Sequence, residues 1–199
     1  MISLMLAGCT GGGSAGSTGS TGTSGNATPA PSTTSSSSTP SPACTPFGST
    51  GRQGTVAEPG AQLGGITGSS MRVGSHPCYD RVVFEFRDPG SLPGWSASYT
   101  AVLREEQTGR PVTPALKGNA FIDIGFGAWY TGTPVGEPAF SGPQKIAPTG
   151  YAALREVRIL GGFEGVSRLG IGLDQRRPFV VTWLENPYRM VVDIYTGAP

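Results

Sequence analysis

The amino-acid sequence predicts an all-β protein: a β-sandwich of about seven to nine short strands, preceded by a disordered tether. Three observations lead there. Helical periodicity is nearly absent beyond residue 45. Gly and Pro punctuate that part of the chain every 8–12 residues, which is the rhythm of short strands and turns. The apolar runs between them are short and rich in Val, Ile and Phe, and the clearest of them alternates with polar residues, as half-buried strands do.

The first element is a leader. Met1-Ile2-Ser3-Leu4-Met5-Leu6 is apolar, and Leu6-Ala7-Gly8-Cys9 has the form of a bacterial lipoprotein signal end, in which Cys9 becomes the lipidated N-terminus. A complete secretory signal carries basic residues ahead of an apolar stretch of about 7–15 residues. Neither the basic residues nor the full stretch is present, so a basic segment is expected upstream of Met1; a chance apolar start beside a cysteine is the alternative. Export follows from this reading, with a lipid anchor on the outer face of the cell membrane. No stretch reaches the ~18 consecutive apolar residues of a membrane helix, so the lipid would be the only membrane attachment.

Residues 10–43 form the second element, a linker built only from Gly, Ser, Thr, Ala, Pro and Asn. A segment with no large apolar side chain and no charge cannot offset the entropy of ordering its backbone. At about 5–6 Å × √n its span is on the order of 30–35 Å, enough to carry a domain past lipid headgroups. The third element, residues 44–199, is the folded domain. With Cys9 lipidated, Cys44 and Cys78 remain, an even pair in an oxidising compartment. A disulfide between them is expected, worth about 3–4 kcal/mol in the chain-entropy picture, against the alternative of two buried thiols.

Within that domain Arg81–Arg87 places Val82, Phe84 and Phe86 on one face and Arg81, Glu85 and Arg87 on the other. Ser98–Arg104 is a second strand, followed by a turn at Gln107-Thr108-Gly109 and a short extended piece near Val112. Ala120–Ile124, Leu154–Leu160, Val166–Leu173, Phe179–Leu184 and Arg189–Tyr195 complete the set. Two strands share an order of Arg, three apolar residues, acid, apolar: Arg81 to Phe86 and Arg189 to Ile194. The four-residue spacing puts Arg81 with Glu85, and Arg189 with Asp193, on one face of each strand. Side by side they would make a cross-strand ladder, either a solvated salt-bridge array of little energetic weight or a polar binding face.

The run from Gly74 to Phe86, with Pro93-Gly94-Trp95 and Tyr99, resembles the opening of AMIN-like domains. Glu156–Gly165 and the closing Asn186–Ile194 continue the likeness, which covers roughly residues 65–197. The resemblance implies a β-sandwich module of the bacterial envelope. AMIN domains accompany wall amidases and secretin channels and position them by binding peptidoglycan. In high-GC Gram-positive bacteria AMIN-like domains also stand alone as lipoproteins, and the dominance of Arg over Lys here fits a high-GC genome. This chain shows no attached amidase or channel domain to position.

Catalysis has little to work with. His76 is the single histidine, so a His-rich zinc site is excluded, and its place before Pro77 and Cys78 looks like a strand entry rather than part of a triad. Glu105-Glu106 sits beside a turn, and Asp123, Asp174 and Asp193 fall where strands end or are interrupted. We therefore expect no enzyme, with a hydrolase of unfamiliar site as the least favoured alternative, and no metal or cofactor. The charge is +1 with no basic run, which gives nucleic-acid binding no support. The expected partner is a cell-wall glycan or stem peptide, with an envelope protein as the alternative. Trp129 and Tyr130, between flanking glycines, are the candidate sugar platform or else core fillers. Arg81, Glu85, Arg189 and Asp193 are the candidate polar face.

Overall fold

A computed structural model describes residues 43–56, 66–87, 91–113, 115–128, 130 and 140–197. The leader, Cys9, nearly all of the linker and Trp129 lie outside them. Ten strands occur among the described residues: β1 (Gln53–Thr55), β2 (Gly68–Ser75), β3 (Tyr79–Phe86), β4 (Trp95–Thr100), β5 (Ala120–Phe126), β6 (Lys145–Ile146), β7 (Leu154–Phe163), β8 (Val166–Leu173), β9 (Phe179–Leu184) and β10 (Arg189–Tyr195). They form two antiparallel sheets in the orders β1-β4-β5-β8-β7-β6 and β2-β3-β10-β9, packed as a sandwich.

Alternation decides what each sheet buries. Val82, Phe84 and Phe86 of β3 and Met190, Val192 and Ile194 of β10 turn inward and are almost wholly buried. They meet Ile122, Ile124 and Phe126 of β5 and Leu169 and Ile171 of β8 in the main core. Asp80, also buried, ties the sheets together: its Oδ2 accepts the backbone N–H groups of Ala153 at 2.7 Å and Leu154 at 2.9 Å, at the start of β7. A second, smaller core lies outside the six-stranded sheet, where Leu103, Val112 and Leu116 pack over Leu160. Glycines make room for it. A Cβ at Gly170 would come 2.7 Å from Leu103, and one at Gly172 would run into the Lys117 carbonyl oxygen.

The expected strands 166–173, 179–184 and 189–195 coincide with β8, β9 and β10. The expected 98–104 strand is displaced to Trp95–Thr100. After Thr100 its hydroxyl bonds the carbonyl and N–H of Val102, bending the chain so that Leu103 enters the outer core. The piece near Val112 is only a single bridge between Arg104 and Pro111. Three strands carried too little pattern to be foreseen: β1, β6 and the Gly- and Ser-rich β2. Asp123 and Asp193 stand within β5 and β10 rather than ending or interrupting strands, because each projects outward from its sheet.

Residues 44–55 act as a strap along one open side of the sandwich. Cys44 is disulfide-bonded to Cys78, with Cα atoms 5.4 Å apart, as the cysteine count led us to expect. Phe47 packs edge-on against Tyr79 and Tyr195. Ser49 and Phe179 exchange backbone hydrogen bonds, and the Gln53 amide donates to the Phe179 carbonyl and accepts from the Val181 N–H. The strap then joins the other sheet as β1, beside β4.

Candidate functional site

The outer face of the four-stranded sheet gathers the foreseen charged residues. β3 and β10 are antiparallel neighbours, with Arg81 opposite Asp193 and Glu85 opposite Arg189. Arg81 grips Asp193 with both arms of its guanidinium, Nε to Oδ1 at 2.6 Å and Nη2 to Oδ2 at 2.8 Å. This two-armed bond to Asp193 raises the Arg81 pKa above the usual arginine value, against the opposing effect of burial. The Arg81 guanidinium also lies 5.0 Å from the centre of the Tyr79 ring.

The other rung behaves differently. Glu85 turns away from Arg189 and pairs instead with Arg72 of β2, at 2.8 Å. Arg189 is left with its Nε buried and without a hydrogen-bond partner among the described residues. The paired groups Arg72–Glu85 and Arg81–Asp193 cancel, so this ladder carries one unmatched positive charge, at Arg189. Beside it on β9 stands Leu184, 39 % exposed, opposite Arg189 in the register. Between the two rungs Val83 and Val191 point outward yet are only 8 % and 3 % exposed.

Arg72 was missed from sequence because β2 was not recognisable as a strand; its alternation of Met71 and Val73 with Arg72 is the one signal that pointed to it. Tyr130 is corrected. Its side chain is completely buried, its hydroxyl donates to the Ser70 carbonyl at 2.5 Å, and its ring occupies the space where Gly68 lacks a Cβ. Burial pushes its phenol pKa far upward. Such a ring is a core plug and offers no platform to a sugar. Trp95 and Trp183 are partly buried against the main core, and Trp183 stacks on Phe86. His76 lies in the turn between β2 and β3, stacked on Tyr79 with ring centres 4.3 Å apart.

The opposite, six-stranded face carries its own ion cluster, in which Arg168 reaches Glu106 at 2.9 Å and Asp123 at 3.5 Å. Burial raises the Asp123 pKa against the pull of Arg168. Among the described residues no three His, Cys, Asp or Glu side chains stand together as a metal-binding set.

The AMIN-like domain model matches residues 67–196, well over half of the chain. The chain belongs to the AMIN-like family. No curated protein and no solved structure matches it. The AMIN-like span begins one residue before β2 and ends one residue after β10, so it contains the whole four-stranded sheet. It leaves out the strap, β1 and Cys44.

Proposed function

We propose that this AMIN-like domain is a non-catalytic binding module, exported and lipid-anchored through Cys9, that holds cell-wall polymer on the outer face of its four-stranded sheet. One observation carries the reading: among the described residues Arg189 is a partly buried guanidinium with no carboxylate partner, set in a ladder whose other charges are matched. A guanidinium in that state is a ready receptor for a carboxylate, which it can engage through two parallel N–H···O bonds. Stem peptides of the wall present carboxylates, and wall binding is plausible for the family. The neighbouring Leu184 adds an apolar contact for a small side chain next to the bound carboxylate.

Sedimentation with purified insoluble cell wall tests the proposal. The full chain should pellet with wall material, and Arg189→Gln should stay largely in the supernatant. Absence of wall retention in the unaltered protein would remove the reading. A second reading, docking of an envelope protein, is favoured by one feature: among the described residues β2 is an eight-residue edge strand of its sheet, and open edges accept a further strand. In that case a proline at an edge-facing position of β2 would abolish partner capture and leave wall retention intact.

A further inference from the structure

A cleft on a different surface, independent of the wall-binding reading, opens at the end of the sandwich where Cys44 enters. Its volume is about 640 Å³, and it lies between the end of β4, the start of β5 and the turn that joins β8 to β9. This lies within the range of about 300–1,000 Å³ typical of small-molecule sites. Thr100, Asn119, Phe121, Asp174, Gln175 and Arg176 line it, together with Ala101 and Ala120.

Its charged groups are held in place. The Tyr99 hydroxyl donates to the Arg177 carbonyl at 2.7 Å and accepts the Arg177 N–H at 2.8 Å, fixing the turn. The Arg176 guanidinium then lies 4.7 Å from the centre of the Tyr99 ring, and one of its Nη groups donates to the Thr50 carbonyl at 3.1 Å. Asp174, the acid in the wall of the cleft, is gripped by both arms of Arg177 at 2.8 and 2.7 Å. Counting Arg176 and Arg177 against Asp174, the local charge is +1, and Arg176 has no carboxylate within ion-pair distance among the described residues.

The remaining groups are of a kind that suits hydroxyl-rich ligands. Asn119 commits its amide N–H to the Asp174 carbonyl, which leaves its side-chain oxygen to accept. Gln175 is exposed and offers both a donor and an acceptor in one plane. Phe121 supplies an apolar wall against which the C–H face of a ring can rest. The geometry points to a site for an acidic saccharide: a pyranose whose carboxylate meets Arg176 and whose hydroxyls meet Asn119 and Gln175. A preset cation, two planar amides and an aromatic wall on one rigid end of the fold are what such a ligand requires.

Titration of the full chain with D-glucuronate, D-glucuronamide and D-glucose, followed by ligand-observed NMR, tests the assignment. Saturable glucuronate binding is expected, with glucuronamide and glucose about tenfold weaker or more, since one charge-assisted pair is lost. Arg176→Gln should abolish the preference for the acid, and Gln175→Ala should weaken glucuronate without altering that preference. Lys145→Gln removes a distant exposed charge and should change nothing. Equal binding of glucuronate and glucose, no saturable binding at all, or equal losses in Arg176→Gln and Lys145→Gln would each overturn the assignment.

Discussion

Two aspartates on this sandwich respond to pH in opposite senses, and the environment of each gives the sign. Burial raises the Asp123 pKa above the usual carboxylate value, and one of its oxygens has no hydrogen-bond partner among the described residues. Its ionised form therefore opposes folding once the pH exceeds the folded-state pKa, and the penalty vanishes below the unfolded value. Asp123→Asn is expected to be at least as stable as the parent at neutral pH, with the two converging in urea unfolding as the pH falls towards 3.8. Asp174 is partly buried, which acts to raise its pKa, but the hydrogen bonds and charge of Arg177 prevail and lower it. It contributes stability above the unfolded value that is lost as the pH falls through the folded one. Asp174→Asn should therefore be less stable at pH 7 and converge with the parent in acid; a loss that persists in acid would show that packing, not charge, is responsible. Among the arginines, breaking the Arg81–Asp193 pair with Asp193→Ala should cost about 1 kcal/mol, because a two-armed, partly buried pair exceeds an ordinary surface bridge. Arg189→Gln, which breaks no pair, should stay within about 0.5 kcal/mol of the parent while losing wall retention.

Strand β8 shows what an element must give up to be covered on both faces. Its inward side chains fill the main core, whereas its outward positions 170 and 172 are glycines lying under Leu103, Leu116 and Lys117. Gly172→Ala should cost about 1–3 kcal/mol in denaturant unfolding, the usual range for overpacking, because backbone rather than a flexible side chain must yield. The same elements mark how far the sequence could be read. Strands with one apolar and one polar face, such as β3 and β10, were legible, and so was the Arg81–Asp193 rung between them, because the period of two is explicit in the residues. β2 was not, since only Met71-Arg72-Val73 alternates within a run of Ser and Gly; Arg72 went unseen, and with it the reason that Glu85 abandons Arg189. The choice between platform and core filler at Tyr130 stayed open for a related reason: nothing local distinguishes an aromatic exposed by flanking glycines from one swung into the core. Only the missing Cβ of Gly68, more than sixty residues earlier in the chain, decides it.

At the scale of the whole molecule the strap and the sheet face have separate duties. The disulfide, the Phe47 contacts and the Gln53 amide fasten residues 44–55 across the sandwich, yet the family match excludes them. Removing the covalent link in Cys78→Ser should cost about 3–4 kcal/mol for the 34-residue separation, read from chemical denaturation, and should leave the paired sheets formed. Wall retention should survive that change, because the ladder of Arg72, Glu85, Arg81 and Asp193 around Arg189 is built by β2, β3 and β10 alone. The most direct test of the account is therefore the fraction of protein that pellets with insoluble cell wall, compared between the parent and Arg189→Gln at equal stability. Strong retention of the parent and near-complete release of the variant are expected. Equal retention of the two would contradict the account.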